Sequence, residues 1–109
     1  MPGVRDSIET VILTWPHLEA HPHRFGGREY RIGKREIGHI HGDQLLDIPF
    51  PSKVRDEVLA AGLAQPHHLL PETGWISFYF RETADAERAI ALLRRSYEIA
   101  LKQKGLSDE

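Results

Sequence analysis

Cysteine is missing from the 109 residues of this chain, and its absence removes disulfides, thiolate metal ligands and cysteine nucleophiles from consideration. No apolar run approaches the roughly 18 residues of a membrane span, and no basic segment leads into an apolar stretch at the N-terminus. The expectation is a cytoplasmic protein without a membrane partner. Charge of one sign is not in excess either: 14 Lys and Arg face 16 Asp and Glu, a formal net charge of −2. A dedicated nucleic-acid binder normally carries a clear basic surplus, so nucleic acid is not the expected partner. Internal repeats, low-complexity tracts and linkers are absent as well. What remains, with 40% hydrophobic and 28% charged residues, reads as one globular domain over 1–109, its core spanning about 4–102 and its last residues, 103–109, a frayed tail.

The apolar residues set the order of elements. Val4, Ile8, Val11, Ile12 and Trp15 fall at steps of three and four, one stripe of a helix that Pro16 ends. From Trp15 to Gly27 the chain carries prolines, glycines and His17, His21 and His23, and reads as a loop. Tyr30 and Ile32 alternate with charged residues and predict a strand over 28–32, and Gly33-Lys34 is a two-residue turn into a second strand over 35–41. Gly42-Asp43 is another such turn, and a third strand follows from Leu45 to Phe50. Ser52 caps a helix with Val54, Val58 and Leu59 on its stripe, and Gly62 marks its stop. After an irregular stretch over 65–74, Trp75 to Phe80 is β-favourable on both faces. Helical spacing from Asp85 through Leu101 makes the longest helix. The sum is an α+β fold: an antiparallel sheet, a three-stranded meander plus one or two further strands, packed against two to three helices.

His39 and His41 are the residues that ask for chemistry. Residues two apart on a strand share a face, so both imidazoles point one way, together with Ile37 and Arg35. With Gly42 and Asp43 as the two turn residues, His39 falls opposite Leu46 and Ile37 opposite Ile48. The histidine face then carries Leu46, Ile48 and Phe50, while Glu36 and Asp47 take the other face; a three-residue turn shifts this register by one. Three readings follow. A metal ion takes His39 and His41 with a third ligand from His67, His68 or Asp43. A metal-free site uses a histidine as general base, with Asp43 or Glu72 as its carboxylate partner. Or the histidines are structural hydrogen-bonders, the reading that also covers His17, His21, His23 and at least one of His67 and His68. Gly33, His39 and His41 meet the opening of the cupin pattern, but no Glu follows His41 at three or four residues and the second cupin motif is missing. Trp75, Tyr79 and Tyr97 read first as core aromatics. The basic stretch of Arg24, Arg28, Arg31, Lys34 and Arg35 reads first as a solvated hairpin.

The run Lys34-Arg35-Glu36-Ile37-Gly38-His39-Ile40-His41, the later Gly62-Leu63-Ala64-Gln65-Pro66-His67, the aromatic strand from Trp75 and the Arg95-Ser96-Tyr97 triplet resemble the small bacterial luciferase-domain proteins, named for their kinship with fungal luciferase. The likeness to the bacterial proteins runs from about Trp15 to Ala100; toward the fungal enzyme it covers the C-terminal two thirds. Fungal luciferase oxidises 3-hydroxyhispidin, an α-pyrone, with molecular oxygen and without flavin or metal. The matching positions are Arg35, Glu36, Ile37, His39, His41, His67 and Trp75. No counterpart of the fungal N-terminal membrane-associated segment is expected, and Asp47 to Pro51 differs in character, which leaves the substrate open.

The resemblance implies a small-molecule site for an enol, phenol or pyrone-like ligand, with molecular oxygen as co-substrate and no cofactor. In that reading His39, His41, His67 and Arg35 do the proton and anion work of a cofactor-independent, oxygenase-like oxidoreductase, and Trp75, Ile37 and Tyr79 line the substrate. Two alternatives stand beside it. One is a His-ligated metalloprotein using His39, His41 and His67; the other is a DNA-binding module, by analogy with double-wing and frataxin-like α+β proteins, using the basic hairpin.

Overall fold

The computed structural model describes residues 2–109. The first apolar stripe forms α1 (Val4–Ile12), burying Val4, Ile8 and Ile12 and leaving Val11 exposed at the edge of the stripe. The stretch from Trp15 to Gly27 is more ordered than a loop. It contains β1 (Glu19–His23) and a tight turn at Arg24–Gly26, and it runs into β2 (Gly27–Ile32). Next come β3 (Arg35–His41), β4 (Leu45–Pro49), α2 (Ser52–Ala60), a two-residue β5 (Gln65–Pro66), β6 (Trp75–Tyr79) and α3 (Asp85–Lys104). In α2 the capping position belongs to Pro51, and Ser52 is the first helical residue, without a side-chain cap bond.

The six strands make one antiparallel sheet in the order β1-β2-β3-β4-β6-β5. The order places β3 and β4 in the middle, and α3 packs across them with α1 beside it. Their shared core holds Tyr30, Ile40, Leu46, Ile48, Ile76 and Leu93, all fully buried. Gly38 is the point of closest approach: a Cβ there would stand 3.1 Å from Leu93 Cδ2 and 3.0 Å from the Asp47 carbonyl. A side chain there would push Leu93 and Ile48 back by a few tenths of an ångström, so glycine favours this close packing of helix on strand.

Two one-residue departures from simple alternation decide which side chains lie opposite the helices. The β3–β4 turn has three residues, Gly42 to Gln44, so His39 pairs with Asp47, Ile40 with Leu46 and His41 with Leu45. A one-residue slip exchanges the faces of the incoming strand. It corrects the expected face: Asp47 stands with the histidines, and Leu46 and Ile48 are on the helix side with Ile40. In addition, β3 bulges against β2, where Tyr30 pairs with Gly38 but Arg31 with Glu36, leaving Ile37 unpaired. A bulge resets the parity of the strand beyond it. Glu36 therefore joins the histidine face and Arg35 leaves it.

Candidate functional site

The face of the sheet opposite the helices gathers five imidazoles round one carboxylate. Asp47 is 1% exposed at the centre of β4, and its Oδ1 accepts the Ser77 hydroxyl at 2.7 Å. Toward its Oδ2 come Nε2 of His41 at 3.1 Å, His39 at 3.2 Å, His68 at 3.3 Å and His67 at 3.4 Å. His39 and His41 arrive from β3, and His67 and His68 from the loop after β5. His23, at the end of β1, stacks on His39 with ring centroids 4.0 Å apart, and the His67 and His68 rings stack at 4.3 Å. Trp75, at the start of β6, packs against both His39 and His67.

Hydrogen bonds at the far nitrogens set the tautomers. A carboxylate only accepts, so His39 Nδ1, 2.7 Å from Glu36 Oε2, carries a hydrogen, and so does His23 Nδ1, 2.9 Å from Glu29 Oε1. His67 is the opposite case. Its Nδ1 accepts the backbone N–H of Leu69 and of Leu70, each at 3.1 Å, so its hydrogen is on Nε2, toward Asp47.

Charge follows geometry. Burial works against the charged form of His39, but the Asp47 and Glu36 carboxylates outweigh it and raise its pKa to about 9. Burial would raise Asp47, yet the hydrogen bonds from His39 and Ser77 hold it well below the usual carboxylate range. His41 is lowered, by burial and then by the neighbouring His39 charge; His67 is lowered chiefly by burial. Neighbouring imidazoles are thus pushed apart in protonation, the arrangement from which acid and base roles are built.

A pocket of about 340 Å³ opens over this cluster. Its rim is apolar, formed by Phe25, Leu69 and Leu70, with Arg24 beside them. Phe25 is 99% exposed and sits in the left-handed region at φ 56°, ψ 40°. That conformation is costly for a residue with a Cβ. A larger groove of about 710 Å³ lies between the β5–β6 edge and α3; there Arg88 pairs with Glu82 and Asp85, Arg95 with Glu57, and Arg81 lies over the Tyr79 ring. The smaller pocket sets a cluster of imidazoles against an apolar wall.

Of the residues singled out from sequence, His39, His41, His67 and Trp75 come together here. Arg35 is elsewhere: its guanidinium bonds Gln103 of α3 and the Glu36 carbonyl. Ile37 is core, Tyr79 lines the groove under Arg81, and Asp43 accepts the backbone N–H of Gly3 and Arg5 rather than a histidine. Asp47, Glu36, His23 and His68 make up the balance of the site. The three-residue turn hides Asp47 and the bulge hides Glu36, neither having a sharp residue code; His23 is hidden by the proline- and glycine-rich composition around β1. His68 is expected from the sequence only as one of three alternatives for a third metal ligand, beside His67 and Asp43.

Such a molecule belongs to a class: a small α+β protein with helices on one face of an antiparallel sheet and a histidine-lined pocket on the other. Residues 34–96 match the model of the Luciferase domain family. The match covers more than half of the chain, and the chain belongs to that family. It takes in His39, His41, Asp47, His67, His68 and Trp75, and begins after His23. No curated protein and no solved structure gives a significant match to the chain. Among the described residues, no helix is long and apolar enough to cross a membrane.

Proposed function

We propose that this luciferase-domain protein binds a small organic molecule in the histidine pocket, and that the ligand is an enol or phenol held as its anion. The observation that carries this reading is the locked His67 ring, whose Nε2–H is a fixed donor beside Trp75. Preoriented N–H donors in a partly dry site favour a developing oxyanion over the neutral ligand. The flat wall of Trp75 and the Phe25, Leu69 and Leu70 rim suit an apolar, planar body. Removal of the ligand's proton is work for an imidazole near neutral pH, and reaction of the resulting anion with molecular oxygen is the step that kinship with fungal luciferase adds. The basic hairpin favours a nucleic-acid partner less, since Arg28 is held by Glu9 and Arg31 by Glu29.

The test uses the Trp15→Phe protein, in which Trp75 is the remaining indole. Titration with 4-hydroxy-6-methyl-2-pyrone and with 4-nitrophenol is expected to quench Trp75 saturably, with the bound probe showing the absorption of its anion. His67→Ala should weaken binding about tenfold, the scale of a charge-assisted hydrogen bond, while near-ultraviolet circular dichroism is retained. Quenching that never saturates, or that ignores His67→Ala, would overturn the reading; oxygen uptake in the same cuvette reports the oxidative step.

A further inference from the structure

We infer that the open face of the sheet is a binding site for a divalent first-row transition ion, held by Nε2 of His23 and of His39 and by a ring nitrogen of His41, with the Asp47 carboxylate beside them as counter-charge. The ligand atoms of His23, His39 and His41 lie within 4.8 Å of one another. The inference goes beyond the small-molecule reading, does not depend on it, and departs from the expectation that no cofactor is needed.

The tautomers select the ligands. His23 and His39 each give their Nδ1–H to a carboxylate, Glu29 and Glu36, which leaves the Nε2 lone pair free of hydrogen in the neutral ring. A carboxylate behind each imidazole is how metal-ligating histidines are usually oriented and made more basic. In the neutral ring the His39 Nε2 lone pair faces the Asp47 oxygen across 3.2 Å, a contact relieved either by a proton on Nε2 or by a metal ion in its place. His67 is excluded by the same logic. Its Nδ1 takes two backbone N–H bonds, so Nε2 carries the hydrogen and has no lone pair to give.

The stoichiometry of hydrogen bonding points the same way. A carboxylate oxygen has two lone pairs, yet four imidazole nitrogens stand within 3.4 Å of Asp47 Oδ2 while Oδ1 is taken by Ser77. The crowd exceeds what that oxygen can satisfy as an acceptor. The Ser77 bond turns Oδ2 toward the histidines and fixes the carboxylate. Imidazole ligands without a thiolate suit Zn(II), Co(II) or Fe(II) rather than Cu(I), Ca(II) or Mg(II).

A second triad, His41, Asp47 and His68, is the competing arrangement. Both share His41, so substitution at the other members separates them. The experiment is titration of chelator-treated full-length protein with Co(II) and Zn(II), read by calorimetry and by the Co(II) ligand-field bands. The expected result is one ion per chain. His23→Ala and Glu36→Gln should each weaken affinity by about 10–100-fold, the scale of losing a ligand or its backing carboxylate. Trp75 emission and the thermal unfolding midpoint of the ion-free variants check that they fold. Glu36→Gln keeps the side-chain shape, so it stands as the test if His23→Ala unfolds. Absence of stoichiometric binding overturns the inference. So does binding that survives His23→Ala and Glu36→Gln but is lost in His68→Ala, which assigns the ion to the other triad.

Discussion

Phe25 shows at the scale of a single residue how stability and binding pull apart. It lies at the pocket rim, fully exposed, with a positive φ that glycine or asparagine accepts more easily. Nothing is gained for the core by a phenyl ring in water, so the strain has no compensation within the fold; functional sites are where such strain tends to persist. Phe25→Gly is expected to leave the fold unharmed or to stabilise it by about 1 kcal/mol in urea unfolding, and to weaken pyrone binding several-fold by removing the apolar rim. Stability that falls together with binding would show that Phe25 serves the fold instead. Composition and spacing made His39, His41, His67 and Trp75 legible as site residues, because histidine carries its chemistry wherever it stands. Their partners were not legible. Asp47 and Glu36 each reach the histidines through a one-residue shift in register, and neither shift is written in side-chain type.

Elements in this protein are tied together by polar side chains at their ends. The N-terminus of α1 is capped from a distance: Asp43, in the β3–β4 turn, accepts the backbone N–H of Gly3 at 3.2 Å and of Arg5 at 3.0 Å. Those bonds, that from Arg5 foremost, lower the Asp43 pKa. A lowered carboxylate pKa contributes stability that is present above the unfolded value, about 3.9, and is lost as the pH falls through the folded value. Asp43→Ala should therefore cost about 0.5–2 kcal/mol at pH 7, the range of a helix cap, and flatten the acid side of the stability profile below about pH 4. Urea unfolding at a series of pH values tests both; an equal loss at pH 3 and pH 7 would exclude the cap. The strands around this turn were predicted close to where they lie, since alternation and Gly-rich turns mark them. The turn's third residue, Gln44, escaped notice because Gly42-Asp43 alone already satisfies a common two-residue turn.

At the scale of the whole molecule the two faces of the sheet do different work. Helices α1 and α3 bury Ile8, Ile12, Leu93 and Tyr97 against one face, and the polar site occupies the other. Substitutions on the helix side should accordingly change stability without changing the chemistry. Leu93→Ala, at a fully buried position beneath Gly38, is expected to cost about 2–5 kcal/mol. At a temperature where the variant is still folded, pyrone and Co(II) affinities should stay within about twofold of the parent; a larger loss would mean that the site depends on how α3 is packed.

The sequence by itself determined the α+β class, the positions of the three helices and the central strands, and the residue types available for chemistry, because periodicity and turn residues act locally. Only the tertiary structure decided that the histidines face away from the core, that Asp47 and Glu36 rather than Asp43 and Glu72 stand with them, and that Arg35 does not. The physical reason is that a strand's side chains change face with each residue of slip. One extra turn residue and one bulge, fixed by the packing of Ile40, Leu46 and Ile48 under α3, reassign a whole face and with it the membership of the site.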